Sequence, residues 1–212
     1  FYIGSDFQPS LENAIIGLPD SVRTVDLLDG LTLLTGADGT DPHVWLDPQN
    51  MQSMARKAAA VLSEEAPAQA TAFSTAADSY IGELAELSGE FDVGLAECAV
   101  PVMITTHRAF EYLANAYQLT HRAIAGVSPG DEPSARSLEE IAEFASDNGV
   151  TTIFFEAELS ELAQTVANEI GADTARIETV ESLTENQLYA GESYLSVMRH
   201  NLVSLRVGMD CT

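Results

Sequence analysis

The chain has 212 residues, 46% of them hydrophobic, enough to bury a sizeable core in one large domain or two small ones. It carries 33 acidic residues against 9 basic ones, a formal net charge of -24, with Lys57 the only lysine. Such a surface repels nucleic acid and anionic lipid, and it gathers cations without selecting among them; solubility or adaptation to salt accounts for most of the charge. No apolar run reaches membrane-spanning length.

The chain opens on Phe1-Tyr2-Ile3-Gly4, which reads as the end of a buried strand, without an initiator Met or a signal sequence. A fragment or processed form, with structure missing upstream, is therefore expected. Val22 to Val25 is a candidate strand, Leu31 to Leu34 a short apolar run, and Gly36 to Gly39 a loop.

Residues 41 to 48 read D-P-H-V-W-L-D-P. Two Asp-Pro steps stiffen the backbone on both sides of His43, because Pro restricts its own φ and the residue before it. Asp47 suits a helix N-cap and Pro48 the first turn. A rigid imidazole beside a helix start is what a metal or catalytic site requires; the plainer reading is a helix-entry turn with a polar surface His.

Met51, Met54, Ala55, Ala58, Val61 and Leu62 then recur at helical spacing. Pro67 restarts a helix whose apolar positions run from Phe73 through Ala77, Tyr80, Ile81, Leu84 and Leu87 to Phe91. Continued to Gly94 it would span ~40 Å, the length of a spine between two lobes; breaks at Gly82 or Gly89 would give two shorter helices.

Beyond Cys98, strands and helices alternate. The strands are Val102–Thr105, His121–Gly126, Thr151–Phe155 and Thr174–Ile177. Helices are predicted over Arg108–Ala116, Leu138–Asn148, Ser160–Ile170 and Glu192–Met209, with Ser137 and Glu140 as a capping box and Gly149 as a stop. This alternation predicts a parallel sheet covered by helices.

Ligands of open α/β sheets bind beyond the carboxyl ends of the strands. That rule selects His107, Glu156 and Glu181. With His43 they make two imidazoles and two carboxylates at loop positions, a donor set suited to Zn²⁺ and also to Mn²⁺. His107 could instead cap its helix, Glu156 serve in a hydrogen-bond network, and Glu181 be one of several acids in its loop. His121 and His200 read as structural. The rigid acidic loop Ser128 to Pro133 could contact a partner or simply turn the chain. Cys98 and Cys211 fit a disulfide in an oxidising compartment and, nearly as well, two buried thiols.

Taken together these motifs resemble the metal-binding substrate-binding proteins of bacterial ABC transporters. The resemblance spans the chain: F-Y-I-G-S at its start, D-P-H-V-W-L-D-P at 41 to 48, T-T-H-R-A-F at 105 to 110, S-P-G-D-E-P-S from 128, the F-F-E strand end, and Tyr194, Met198 and Asn201 in the last helix. It implies two parallel-sheet α/β lobes joined by a long spine helix, with the metal in the cleft between them. Residues 1-66 would be the remainder of the N-terminal lobe, 67-97 the spine, and 98-212 the C-terminal lobe. It implies His43 and His107 as metal ligands and Glu181 as a third, where the family usually has Asp. A further His would lie upstream, and Glu156 would orient rather than ligate. An imidazole at the His107 position favours Zn²⁺ over Mn²⁺. The resemblance further implies a Cys98–Cys211 disulfide, an extracytoplasmic and possible lipid-anchored location, a membrane permease as partner, a monomeric state and a secondary link to cell adhesion. No enzymatic activity is expected; the other reading is a metal-dependent hydrolase with Glu156 or Glu181 as base.

Overall fold

Asp47 and Pro48 open the first long helix as their chemistry dictates: the Asp47 carboxylate accepts the Gln49 N–H at 2.8 Å, and Pro48 sits where no intrahelical donor is needed. The computed structural model describes residues 1–36, 39–127, 134–156 and 160–212. Within them lie eight α-helices and six strands, in two units comprising residues 1–86 and 87–212. No helix among the described residues is long and apolar enough to cross a membrane. The acidic loop Ser128 to Pro133 lies outside the described residues.

The first unit holds helix α1 (Pro9–Ile16), the short antiparallel strands β1 (Thr35–Gly36) and β2 (Gly39–Thr40), a 3-10 turn at Val44–Leu46, and helix α2 (Pro48–Glu65). No regular strand forms over Val22–Val25, where the sequence favours one. The chain instead makes a single parallel bridge, Tyr2 with Asp26, through Tyr2 N–H to Val25 O (3.1 Å) and Leu27 N–H to Tyr2 O (2.9 Å). Side chains complete this segment. Asp26 Oδ1 accepts the N–H of Gly4 and of Leu28. Lys57, from α2, donates to the carbonyls of Asp26 and Asp29.

Helix α3 (Ala70–Gly94) is continuous over 25 residues, and neither Gly82 nor Gly89 breaks it. Leu84, Leu87 and Phe91 are fully buried along one face, the spacing of a helical stripe.

In the second unit β3 (Val102–Thr105), β4 (Thr120–Ala123), β5 (Thr152–Phe155) and β6 (Asp173–Arg176) form a parallel sheet in the order β4-β3-β5-β6. The helices here are α4 (Glu111–Ala116), α5 (Ala135–Asp147), α6 (Ser160–Ile170), α7 (Glu185–Tyr189) and α8 (Tyr194–Gly208). Two are displaced from the sequence reading. The α5 cap is Ser134, whose Oγ accepts the Ser137 N–H at 3.1 Å, so Ser137 lies inside the helix and the Ser137–Glu140 box does not form its start. Helix α4 begins at Glu111 rather than Arg108, because the Arg108 N–H is bonded to Gly126 O and the His107 carbonyl to Thr105 Oγ1–H and Ala109 N–H, which holds these residues out of a helical ladder.

Alternation along the strands assigns the two faces. Ile104 and Ile153 pack with Ile141 and Ala145 of α5 and with Ala163, Val166 and Ala167 of α6. Thr152 and Phe154 point the other way, toward α8. With both faces covered, the central strands β3 and β5 are largely apolar, whereas the edge strands β4 and β6 carry polar residues. Gly208 makes the α8 contact possible: a Cβ there would stand 2.5 Å from Phe154 Cζ and 3.0 Å from Thr152 Cγ2. Alanine favours a helix over glycine by ~1 kcal/mol, whereas overpacking costs ~1–3 kcal/mol. Since Phe154 is fully buried, overpacking wins, and Gly208→Ala is expected to lower the urea midpoint. A midpoint at or above that of the parent chain would show that the ring yields freely.

Cys98 and Cys211 are joined as a disulfide. Backbone bonds flank it, from Ala99 N–H to Asp210 O (3.0 Å) and from Thr212 N–H to Glu97 O (3.0 Å), tying the entry to β3 to the end of α8.

Candidate metal centre

In the first unit, Asp41 and His43 form a buried pair, 3% and 2% exposed. Asp41 Oδ1 accepts the backbone N–H of His43 at 3.0 Å and faces its Nδ1 at 2.7 Å. This is an Asx-type turn, closed by the side chain two residues before His43 and stiffened by Pro42 at its centre. A carboxylate facing Nδ1 holds the proton there, so Nε2 keeps the lone pair that a metal ion requires. The rings of Phe7 and Trp45 flank the imidazole, with centroids 6.1 and 5.3 Å from it. Sequence reasoning named His43 and passed over Asp41. The signal was present, since an Asp two residues before a His, across a Pro, is placed to make such a turn.

In the second unit the same chemistry recurs with different parts. His107 follows β3 and Glu156 ends β5, both buried. Glu156 Oε2 is hydrogen-bonded to His107 Nδ1, and Glu156 Oε1 accepts Thr106 Oγ1–H at 2.9 Å. The imidazole is again presented with Nδ1 protonated and Nε2 as the donor atom. Its main chain is fixed as well: the His107 carbonyl accepts Thr105 Oγ1–H at 2.7 Å and Ala109 N–H at 3.1 Å.

Glu181 is exposed and lines, with His107 and Glu156, a cavity of about 210 Å³ that also includes Arg176, Glu178 and Thr184. The loop carrying it is held at both ends. Asn201, 1% exposed on α8, donates to Glu178 O at 2.8 Å and accepts Glu178 N–H at 2.9 Å. At the other end a capping box between Thr184 and Gln187 starts α7, a helix too short to show periodicity in the sequence. Between these anchors Val180 takes a φ of +56°, a conformation that a β-branched residue adopts only under constraint.

Of the remaining histidines, His200 is exposed on α8, 4.0 Å from Glu192. His121 is buried.

A parallel α/β sheet with a buried imidazole–carboxylate pair at the carboxyl ends of its strands, and a second such pair in a proline-braced turn, defines an α/β protein that presents two oriented imidazoles. The family can be stated from comparison: residues 1–208 match the zinc-uptake complex component A, periplasmic (ZnuA) family, and the chain belongs to it. The zinc-binding lipoprotein AdcA of Streptococcus pneumoniae is 39% identical over 171 residues, 80% of this chain and 34% of that protein. The high-affinity zinc uptake system protein ZnuA of Bacillus subtilis is 35% identical over 167 residues, 78% of this chain and 52% of that one. The chain thus spans between a third and about half the length of these curated relatives. Among solved structures, the Zn(II)-bound ZnuA-like domain of S. pneumoniae AdcA matches with a TM-score of 0.83 at 34% identity, over 99% of this chain and 79% of that one. The laminin-binding protein Lbp of Streptococcus pyogenes matches with a TM-score of 0.81 at 27% identity, over 96% and 75% of the two chains.

Proposed function

We propose that this chain binds Zn²⁺ as cargo outside the cytoplasm and hands it to the membrane permease of an ABC transporter, without catalysing a reaction. His43, His107 and Glu181 supply the ligands, and Glu156 and Asp41 orient the two imidazoles. The observation that carries the reading is the repeated device of a histidine whose Nδ1 is engaged by a buried carboxylate, the arrangement that zinc-ligating imidazoles adopt. Family membership and the zinc-binding names of the relatives support it. None of those names is that of a hydrolase. Two imidazoles and one carboxylate favour Zn²⁺ over the oxygen-preferring Mn²⁺. The protein acts as a monomer, anchored to the membrane by lipid or free in the periplasm. The three-part division into residues 1–66, 67–97 and 98–212 belongs to the same proposal.

Competition titration against a chromophoric chelator, with Zn²⁺ and Mn²⁺ in parallel, tests the proposal. One tight Zn²⁺ per chain and weaker Mn²⁺ binding are expected. Tighter Mn²⁺ than Zn²⁺, or turnover of hydrolysable esters that depends on bound metal, would overturn it.

Glu156→Gln separates orientation from ligation. The amide keeps the shape but loses the charge that holds the His107 proton, so zinc affinity should fall by ~10–100-fold. The number of protein ligands in the X-ray absorption spectrum should stay the same. Loss of an oxygen scatterer near ~2.0–2.2 Å would instead make Glu156 a ligand.

A further inference from the structure

His121 differs from an ordinary core histidine in what its two nitrogens reach. It sits on β4, beside β3, with its side chain 1% exposed. Nδ1 lies 3.1 Å from Glu111 Oε1 at the start of α4, and Nε2 lies 2.7 Å from Thr105 Oγ1 at the end of β3. The Phe110 ring stands edge-on to it at 6.5 Å.

Proton counting gives the direction of these contacts. A threonine hydroxyl has one proton, and Thr105 donates its proton to the His107 carbonyl at 2.7 Å. Thr105 Oγ1 must then accept from His121, so Nε2 carries a hydrogen. A chain of two hydrogen bonds therefore runs from His121 through Thr105 to the main chain of His107. Glu111 lies beside this chain, and the nearby His121 ring holds its carboxyl below the usual range, against the opposing effect of burial.

A buried imidazole is costly beside the fully buried strand β3 and the Phe110 ring, and packing alone would be served by a leucine or phenylalanine. The polar group is accounted for by what the chain ends on. Glu156 fixes the His107 ring from one side, whereas nothing in that pair fixes the backbone from which the ring projects. Thr105, oriented by His121, does so.

We propose that His121 is a positioning residue for the zinc ligand His107, acting through the Thr105 hydroxyl. The inference rests on the reading that His107 binds Zn²⁺. Misplacing the carbonyl would swing the ring on its Glu156 pivot and misdirect Nε2.

The test uses the whole chain with Zn²⁺ alone as probe, in the variants Thr105→Val, Thr105→Ser, His121→Phe and His107→Ala. Apo melting is measured beside zinc affinity, so that folding and binding are read separately. Folded Thr105→Val and His121→Phe are expected to bind Zn²⁺ about tenfold or more weakly. Thr105→Ser, which keeps the hydroxyl, should bind as the parent does. A purely structural His121 would lower the melting temperature of the first two variants and leave the affinity of the folded protein unchanged. That result, with binding lost in His107→Ala, overturns this inference alone. Equal loss in Thr105→Ser assigns the effect to packing and overturns it too. Parental affinity in His107→Ala overturns the zinc reading and this inference with it. If neither Thr105→Val nor His121→Phe folds, Thr105→Ser together with His121→Gln, which keeps an N–H donor, decides: parental affinity in both supports the chain, and loss of affinity in either folded variant sinks it.

Discussion

Zinc affinity of the His107→Ala variant is expected to fall by more than the ~100-fold that removal of an outer partner gives. The substitution deletes a nitrogen donor whose geometry is fixed twice over, by Glu156 at the ring and by Thr105 at the carbonyl. The same substitution takes from Glu156, 6% exposed, the imidazole partner of Oε2 and leaves the Thr106 hydroxyl on Oε1. A buried carboxylate that loses its partner is destabilising, so apo stability should fall as well. Both quantities must therefore be measured. Metal content after dialysis gives stoichiometry, and competition titration gives affinity. A folded His107→Ala protein with one zinc per chain at parental affinity would remove His107 from the site. His43→Ala is expected to behave alike, since Asp41 holds that imidazole in the same way.

The second large effect concerns stability and should leave zinc binding alone. Cys98 and Cys211 are 113 residues apart, and cross-linking so long a loop restricts the unfolded chain strongly. Replacing both with alanine is expected to cost about 2–5 kcal/mol. Backbone bonds from Ala99 to Asp210 and from Thr212 to Glu97 survive the change and hold the loss toward the lower end. The disulfide lies where the chain enters β3, whereas His107 lies where the chain leaves it. Urea unfolding of the parent and double variant should therefore give well-separated midpoints, while zinc affinity of the folded proteins should agree. Coincident midpoints would mean that the bridge constrains an ensemble already restricted; a large loss of affinity would mean that the two ends of the strand are coupled.

Much of the second unit was legible because its central strands β3 and β5, buried on both faces, read as short apolar runs. The rule for their carboxyl ends then selected His107, Glu156 and Glu181, which line one cavity. D-P-H-V-W-L-D-P was legible for a different reason: proline and aspartate act locally, so the turn and the α2 cap follow from neighbours in sequence. What was hidden depends on partners distant in sequence or on a choice among equivalents. Val22–Val25 has strand composition, yet only Tyr2 bridges to it, so no ladder forms. Ser134 and Ser137 are equally good caps on paper, and the geometry of the turn decides between them. Helices α1 and α7 are 8 and 5 residues long, below the length at which a hydrophobic period can be read. His121 read as structural because its role lies in which hydroxyl it faces, and Thr105 is 16 residues away.

The boundary between the two units, after Glu86, falls inside α3 rather than in a loop. Proteases cut extended chain, so a helix must melt locally before it is cleaved. Between Lys57 and Arg108 the chain contains no lysine or arginine, so trypsin has no target there even if the helix opens. A glutamate-specific protease does have one at the exposed Glu86. Cleavage at that bond would clock the opening of this one turn of helix.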